Sequence, residues 1–552
     1  MLINLRIAIF SVIAVFIFSC QSTSDLEIET QAPVRIAILS TTDVHGHILA
    51  WDYYQDEPNE RYALSKASTI ITSLRERYPN NILIDAGDWL QGNPFAEYPA
   101  RIDTTGMHYG FLRAVDHMKY DAVVLGNHEF NFGLEYLNNQ ISMTETPIIG
   151  ANIYDHGTKN PHYTPYVLRE FDGITVGILG LTTPGSAIWD RPRVEGILDF
   201  GDGVEAAKRF VPEMYEAGAD VVVVLAHSAF EGRNSFNADE LGLENFGKAI
   251  LDEVPGIHAM VLGHRHRVFS TVYQSPVTNQ NVAVVEAGRW ASHVGLITLS
   301  VERRGNGSFR VSPEITRNIS VADASEDPAI VELVSEDHER VRAFVNTEVV
   351  STNDSWETSY ARQRPSAAVS LINAVQTEKT GAQLSAAAAF TTNLTLGPGS
   401  ISIGDLAQLY PYENALYKMR ITGEILRKYL EHTSRYWQTT TAGTSPRTDP
   451  SVPGFNYDMI SGISYEIDLR REPGSRITML QYQGNDIKDD DEFTIAINSY
   501  RAEGGGGFSM LKDAEIIQII DRSVRDIITE YLSGKSNISK DDVFEDNWKL
   551  VY

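Results

Sequence analysis

The chain has 552 residues, with 46 basic against 73 acidic side chains, 43% hydrophobic residues and one cysteine. The length suggests roughly two to four domains, each large enough for its own core, and excludes disorder of the chain as a whole. A net charge of −27 repels polyanions and argues against nucleic-acid polymers or anionic membrane surfaces as partners, and a single cysteine permits neither an intrachain disulfide nor a Cys-based zinc finger.

At the N-terminus, Arg6 precedes an apolar run from Ile7 to Phe18 that ends in Ser19-Cys20. The run is shorter than the ~20 residues of a membrane-spanning helix. It resembles a bacterial lipoprotein signal, which implies cleavage before Cys20, a lipid on that residue and a polar tether over 20–33. The mature protein would then lie in the cell envelope, periplasm or outer membrane, touching the membrane through its anchor only. The alternative is a plain secretory signal with an incidental cysteine.

Beyond the tether, short apolar runs predict strands at Ile36–Leu39, Asn81–Ile84, Ala122–Leu125, Ile174–Leu179, Val221–Leu225, Met260–Leu262 and Val282–Val285. Segments of helical period, such as Leu64–Tyr78 and Gly203–Ala217, lie between several of them, giving an α/β pattern over 34–315. Asp327–Val345, with Pro328 near its start, predicts one charged amphipathic helix within a linker spanning 325–348, a hinge region between domains. Residues 350–552 predict helices at Pro365–Lys379 and Thr422–Thr433, strands at Ile463–Ile467 and Phe493–Ile497, and a Gly504–Gly507 run. Twelve of 14 histidines precede residue 315, which places the chemistry in the first domain.

Five predicted strands run into loops that carry Asp, Asn or His: Thr41-Thr42-Asp43-Val44-His45, Gly87-Asp88-Trp89-Leu90-Gln91-Gly92, Gly126-Asn127-His128-Glu129, Ala226-His227-Ser228 and Gly263-His264-Arg265-His266. The carboxyl ends of strands in an α/β sheet line one crevice, so these loops can converge. In extended backbone, residues i and i+2 face one side, so Asp43 with His45, and His264 with His266, can each present two ligands to one point. Asp43, Asp88 and Asn127 offer oxygen and His45, His227, His264 and His266 offer imidazole, a donor set suited to two borderline divalent ions such as Zn, Mn, Fe, Co or Ni with Asp88 bridging. Such a pair polarises a phosphoryl group, lowers the pKa of a coordinated water and clamps both oxygens of an in-line displacement. Adjacent Asn127 and His128 diverge, leaving one to the metal and one to the substrate. His47, His108, His117, His156, His162, His258 and His293 read as surface or core histidines, His47 being the nearest exception.

This ordered set resembles the calcineurin-like metallophosphatases, and over nearly the whole mature chain the two-domain 5′-nucleotidase family. Thr41–His45, Trp51-Asp52-Tyr53-Tyr54, Gly126–Leu134 and Asn498-Ser499-Tyr500-Arg501-Ala502 are similar to the periplasmic 2′,3′-cyclic-nucleotide 2′-phosphodiesterases that are also 3′-nucleotidases. The resemblance implies an α/β/β/α sandwich joined by a helix to a smaller mixed α/β substrate-binding domain. It places Asp43, His45, Asp88 and His266 on one ion and Asp88, Asn127, His227 and His264 on the other, with His128 stabilising the transition state. It also implies a nucleobase held between two aromatics, matched by Tyr457 and Tyr500; neighbouring Arg501 reads either as a phosphate or ribose contact or as a solvated charge.

Two departures bear on the substrate. Asn131 stands where 5′-nucleotidases typically carry Asp, as in the cyclic phosphodiesterases, and Thr391-Thr392-Asn393-Leu394 stands where the latter usually have a basic, Gly-rich segment. The resemblance therefore implies hydrolysis of 2′,3′-cyclic nucleotides to 3′-nucleotides and then to nucleoside and phosphate, with a 5′-nucleotidase or UDP-sugar hydrolase as the alternative. A non-catalytic nucleoside-binding lipoprotein is the alternative of another class, and loss of any of the seven ligands would have favoured it.

Overall fold

The computed structural model describes residues 32–552 apart from 104–107, 237, 306, 413 and 513. The signal segment, Cys20 and all but the last two residues of the expected tether lie outside the described residues. Among those described, no helix is long and apolar enough to cross a membrane.

Two six-stranded sheets form the middle of the first domain. In one, Val34–Thr41 pairs in parallel with Asn81–Asp85, which continues in parallel to Ala122–Val124 and Ile148–Ile149; His293–Arg303 and Phe309–Ser320 add antiparallel strands on the other side. In the other, Ile174–Thr182, Val221–His227, Ala259–Leu262 and Asn281–Ala287 are parallel, with Tyr166–Phe171 and Val268–Gln274 antiparallel at the edges.

Strand periodicity explains why the sheets stack. Ile36 and Ile38 pack with Val221, Val223 and Leu225 in a core between the sheets, whereas Leu39 turns to the helices on one outer face and Val222, Val224 and Ala226 to those on the other. Continuous apolar runs are what a strand covered on both faces requires, and the result is a four-layer α/β/β/α sandwich. The last strand pairs along its length, His293 opposite Ser320, so regular structure continues past the boundary expected at 315.

The connector differs from the sequence expectation. A break at Val334 divides it into two helices, Pro328–Leu333 and Ser335–Val345. Asp327 caps the first by accepting from Ala329 N–H at 2.9 Å, with Pro328 at the first helical position. Ile330, Val334, Val341 and Val345 are buried in the first domain's core, Tyr53 bonds His338 at 2.8 Å and Arg342 pairs with Asp56 at 2.7 Å. The segment is therefore clamped to the first domain rather than spanning freely between two bodies.

In the second domain, a five-stranded mixed sheet runs Asp458–Ser461, Leu384–Ala388, Glu492–Asn498, Ala415–Thr422, Glu515–Ser523, with helix Ala367–Thr380 packed on it and a four-stranded sheet beside it. The domains meet through Arg525–Glu97 at 2.6 Å, Arg101–Asp526 at 2.9 Å and Gln408 Nε2 donating to Tyr54 O at 2.7 Å. These contacts leave a cleft between the carboxyl ends of the parallel strands and one end of the second domain.

Candidate metal centre and substrate cleft

Strands Val34–Thr41, Asn81–Asp85 and Ala122–Val124 of one sheet, and Val221–His227 and Ala259–Leu262 of the other, deliver their following loops to a single point. His45 Nε2 and His266 Nε2 face each other at 3.1 Å, with Asp43 Oδ1 at 3.4 Å from His266 Nε2 and Asp88 Oδ2 at 3.9 Å from His45 Nε2. Beside them, His227 Nε2 lies 3.0 Å from Asp88 Oδ2 and 3.2 Å from Asn127 Oδ1, and His264 Nδ1 lies 3.1 Å from the same Asn127 oxygen. Asp88 thus sits between two groups of donors.

The local conformation is not the extended one expected. Asp43, His45, Asp88, His264 and His266 all have positive φ, between 48° and 77°. Left-handed backbone on non-glycine residues costs energy and persists where surrounding structure over-determines it. Here successive left-handed turns, rather than strand alternation, aim both members of each pair at the same point. Glycine is required next to them for a different reason: a Cβ on Gly126 would strike Asp88 Oδ1, and one on Gly263 would strike Thr42 Oγ1.

The remote nitrogens fix the rings. His45 Nδ1 donates to Gln91 O at 2.6 Å, His227 Nδ1 to Ala86 O at 2.7 Å, and His264 Nε2 to Glu244 Oε1 at 3.0 Å. Carbonyls and carboxylates only accept, so each ring turns its other nitrogen's lone pair into the cavity, among oxygens that are acceptors too. A buried space lined by acceptors suits a cation, and Asp43, His45 and His266, or Asp43, Asp88 and His227, have ligand atoms within 4.8 Å of one another. Burial pushes the His45 imidazole down to about 3, keeping it neutral. Burial opposes charge on His227, but Asp88, Asp43 and the Ala86 carbonyl together outweigh it and raise that ring's pKa to about 10; the same carboxylate oxygens would attract a cation, which would take the place of the Nε2 proton.

Two supporting carboxylates escaped the sequence reading. Glu129 accepts from the backbone N–H of Asp88, Trp89, Leu90 and Gly126 at 2.6 to 3.0 Å, tying two ligand loops together. It stands inside the Gly-Asn-His-Glu motif, which was its signal. Glu244, which orients His264, has none. His47, the nearest of the histidines set aside, packs against Tyr62 and Trp290 with ring centroids at 5.0 and 4.8 Å and is not among the converging donors.

His128 Nε2 points at the same centre, 4.0 Å from Asp88 Oδ2, while its Nδ1 meets Asn131 Oδ1 at 2.7 Å. Both residues line a cleft of about 390 Å³ whose first-domain wall also includes Asn127 and His264, and whose second-domain wall includes Phe390, Tyr412, Phe455 and Tyr500. Tyr500 is thus on the cleft, but Tyr457 is not. It is 1% exposed, stacked on Tyr436 at 5.0 Å and edge-on to Trp437 and Trp548. The 3₁₀ turn Gly454–Asn456 leaves Phe455 on the cleft and Tyr457 in the core at the start of the next strand.

Arg501 is 2% exposed and spends its guanidinium inward: Nε on Asp458 Oδ2 at 2.7 Å, a second bond to Oδ1 at 3.1 Å, and further bonds to Asn456 and the Phe455 carbonyl. It lines the cleft, but its guanidinium is committed to Asp458 and to the loop bearing Phe455. Replacing it with Met leaves Asp458 buried and uncompensated, so we expect a loss of about 3–5 kcal/mol in denaturant unfolding, a destabilisation an exposed phosphate contact would not produce. The Thr391–Leu394 segment lies beyond Phe390, with Thr391 bonded to Asn393, and is not among the cleft-lining residues.

Comparison with known proteins agrees with this architecture. Residues 36–268 match the calcineurin-like phosphoesterase model and residues 346–513 the 5′-nucleotidase C-terminal domain. A 2′,3′-cyclic-nucleotide 2′-phosphodiesterase/3′-nucleotidase of Haemophilus influenzae is 30% identical over 94% of this chain and 88% of its own length. A trifunctional nucleotide phosphoesterase of Bacillus subtilis is 28% identical over 95% of this chain, which spans only 39% of that longer protein. A Staphylococcus aureus structure solved with α-ketoglutarate superposes with a TM-score of 0.79 at 25% identity, covering 94% of this chain and 99% of that one. With both domain models matched in order and a relative this similar along most of its length, the chain belongs to the calcineurin-like phosphoesterases that carry a 5′-nucleotidase C-terminal domain, and it is a phosphoester hydrolase.

Proposed function

We propose that the protein hydrolyses 2′,3′-cyclic nucleotides to 3′-nucleotides and then releases phosphate, using two divalent cations of the Zn, Mn, Co or Fe type. The observation that carries this reading is the cleft itself, which has candidate ligands and His128 on one wall and aromatic rings on the other. Asp43, His45, Asp88 and His266 would hold one ion and Asp88, Asn127, His227 and His264 the second; bound there, the ions supply positive charge to the phosphoryl group and acidify water. His128, when it carries a proton on both nitrogens, contributes an Nε2–H donor to the phosphoryl oxygens, while its Nδ1–H donates to Asn131 Oδ1. The base is held by Phe455 and Tyr500. Phosphate release from 2′,3′-cyclic AMP, 3′-AMP, 5′-AMP and a nucleotide sugar, each with Mn, Co and Zn, tests the reading. The first two should be the fast substrates, and preference for 5′-AMP or the sugar nucleotide would replace it with the 5′-nucleotidase alternative.

If the base is held in this way, Phe455→Ala or Tyr500→Ala removes ~1–3 kcal/mol of stacking. That corresponds to a loss of roughly 5- to 150-fold in kcat/KM for the nucleotide, expressed mainly in KM, with little change for a small chromogenic diester that lacks a base. Equal losses on both substrates would place these rings in support of the fold. Tyr457→Ala, from the core, should instead lower stability.

The reading includes export and lipid anchoring in a bacterial envelope through Cys20, supported by the apolar run that precedes it. Cys20→Ser should abolish incorporation of labelled fatty acid and move the protein to the aqueous phase of a detergent partition. Unchanged partitioning would mean that another feature holds it at the membrane.

A further inference from the structure

Asn131 has two ends. Its Oδ1 lies 2.7 Å from His128 Nδ1, and its Nδ2 lies 2.9 Å from Asp190 Oδ1. Asp190 is distant in sequence and 2% exposed, with Arg193 Nη1 3.8 Å from its Oδ1. The chemistry of the groups decides which way the amide points. An ionised carboxylate can only accept, so Asp190 must face the amide NH₂; that leaves the amide oxygen to His128, which must then carry its proton on Nδ1. The opposite orientation would set oxygen against oxygen. Burial pushes the Asp190 carboxyl up to about 6, so it remains ionised above neutral pH. The adjacent Trp189 stacks on His264 with ring centroids 5.7 Å apart, so the segment carrying Asp190 is packed against the metal centre.

We propose that Asp190 is a positioning residue that acts through the Asn131 amide to keep the proton of His128 Nδ1 in place and its ring in one orientation, so that Nε2 can carry the proton offered to the phosphoryl oxygens. Asn131 by itself could turn either end to the imidazole; Asp190 removes that freedom. The relay delivers the orienting effect of a carboxylate to His128 without placing a second negative charge beside Asp88. The inference rests on the role given to His128 above.

The test is a set of variants measured at pH 8. Asp190→Ala and Asp190→Asn should each lower kcat by roughly 10- to 100-fold, the range for removing a partner that orients a site residue, with KM within about threefold and metal content unchanged. Asn131→Ala should do the same, and Asn131→Ala with Asp190→Ala should be no worse than Asn131→Ala alone, because the two act in series. Exchanging the groups, Asn131→Asp with Asp190→Asn, should recover most of the activity, since a carboxylate then accepts from His128 directly and the amide lies behind it. This exchange keeps both side-chain volumes, so it remains informative should the single Asp190 variants fold poorly. Independently of turnover, ¹⁵N spectra of histidine-labelled protein loaded with Zn should show a His128 proton on Nδ1 in the parent and in the exchanged variant, and partial loss of that proton in Asp190→Asn. Wild-type kcat in both Asp190 variants, losses that multiply with Asn131→Ala, or an unchanged Nδ1 proton in Asp190→Asn would overturn the relay. Failure of the parent protein to hydrolyse any nucleotide would overturn the proposed function instead, while the ¹⁵N measurement would still decide on Asp190.

Discussion

Asp88→Asn should reduce kcat/KM by roughly 10²–10⁴-fold, the several kcal/mol attributed to charge stabilisation by metal ions in phosphoryl transfer. The substitution is nearly isosteric, and an amide oxygen at this position can still accept from the backbone N–H of His128, which donates to Asp88 Oδ1 at 2.9 Å. What it removes is the negative charge between the His45/His266 and His227/Asn127 groups of donors, which the proposed function requires if one side chain is to serve both cations. Metal analysis should find less than the parent's complement per chain. Parent-like rates with parent-like metal content would mean that Asp88 does not bridge.

His128→Ala should behave differently. No candidate ligand atom is lost, so metal content should match the parent's, while kcat falls on the order of 10²–10³-fold for loss of one donor to the developing charge. Because that donor acts in the transition state, kcat and kcat/KM should fall together with KM little changed. A rise in KM alone would make His128 a ground-state binding residue.

The sequence made the centre legible because each ligand loop directly follows an apolar strand, and parallel strands deliver their carboxyl ends to one edge. It did not convey how the ligands are aimed. The left-handed turns at Asp43, His45, Asp88, His264 and His266 are tertiary outcomes for residues that seldom adopt them, and no periodicity announces them. Which ring reaches the cleft was not legible because Phe455 and Tyr457 flank one short turn, and which of them lines the cleft depends on where that turn ends and the strand begins. Asp190 was invisible for another reason: it lies 59 residues from Asn131, in a segment without a motif. The break at Val334 likewise interrupts a helix whose apolar spacing reads as continuous.

The centre also draws on both sheets of the sandwich, with Asp43 and His264 in contact although 221 residues apart. Those sheets otherwise meet across a largely apolar interface, bridged by the Asn318 amide, which donates to the Phe269 and Glu286 carbonyls at 2.9 and 3.0 Å. A cation seated among these donors is therefore a cross-link, closing a loop of more than two hundred residues in a chain whose one cysteine cannot form a disulfide within it. An ion that binds the folded chain and not the unfolded one stabilises it by mass action, so added metal should raise the unfolding temperature in step with the rate of turnover.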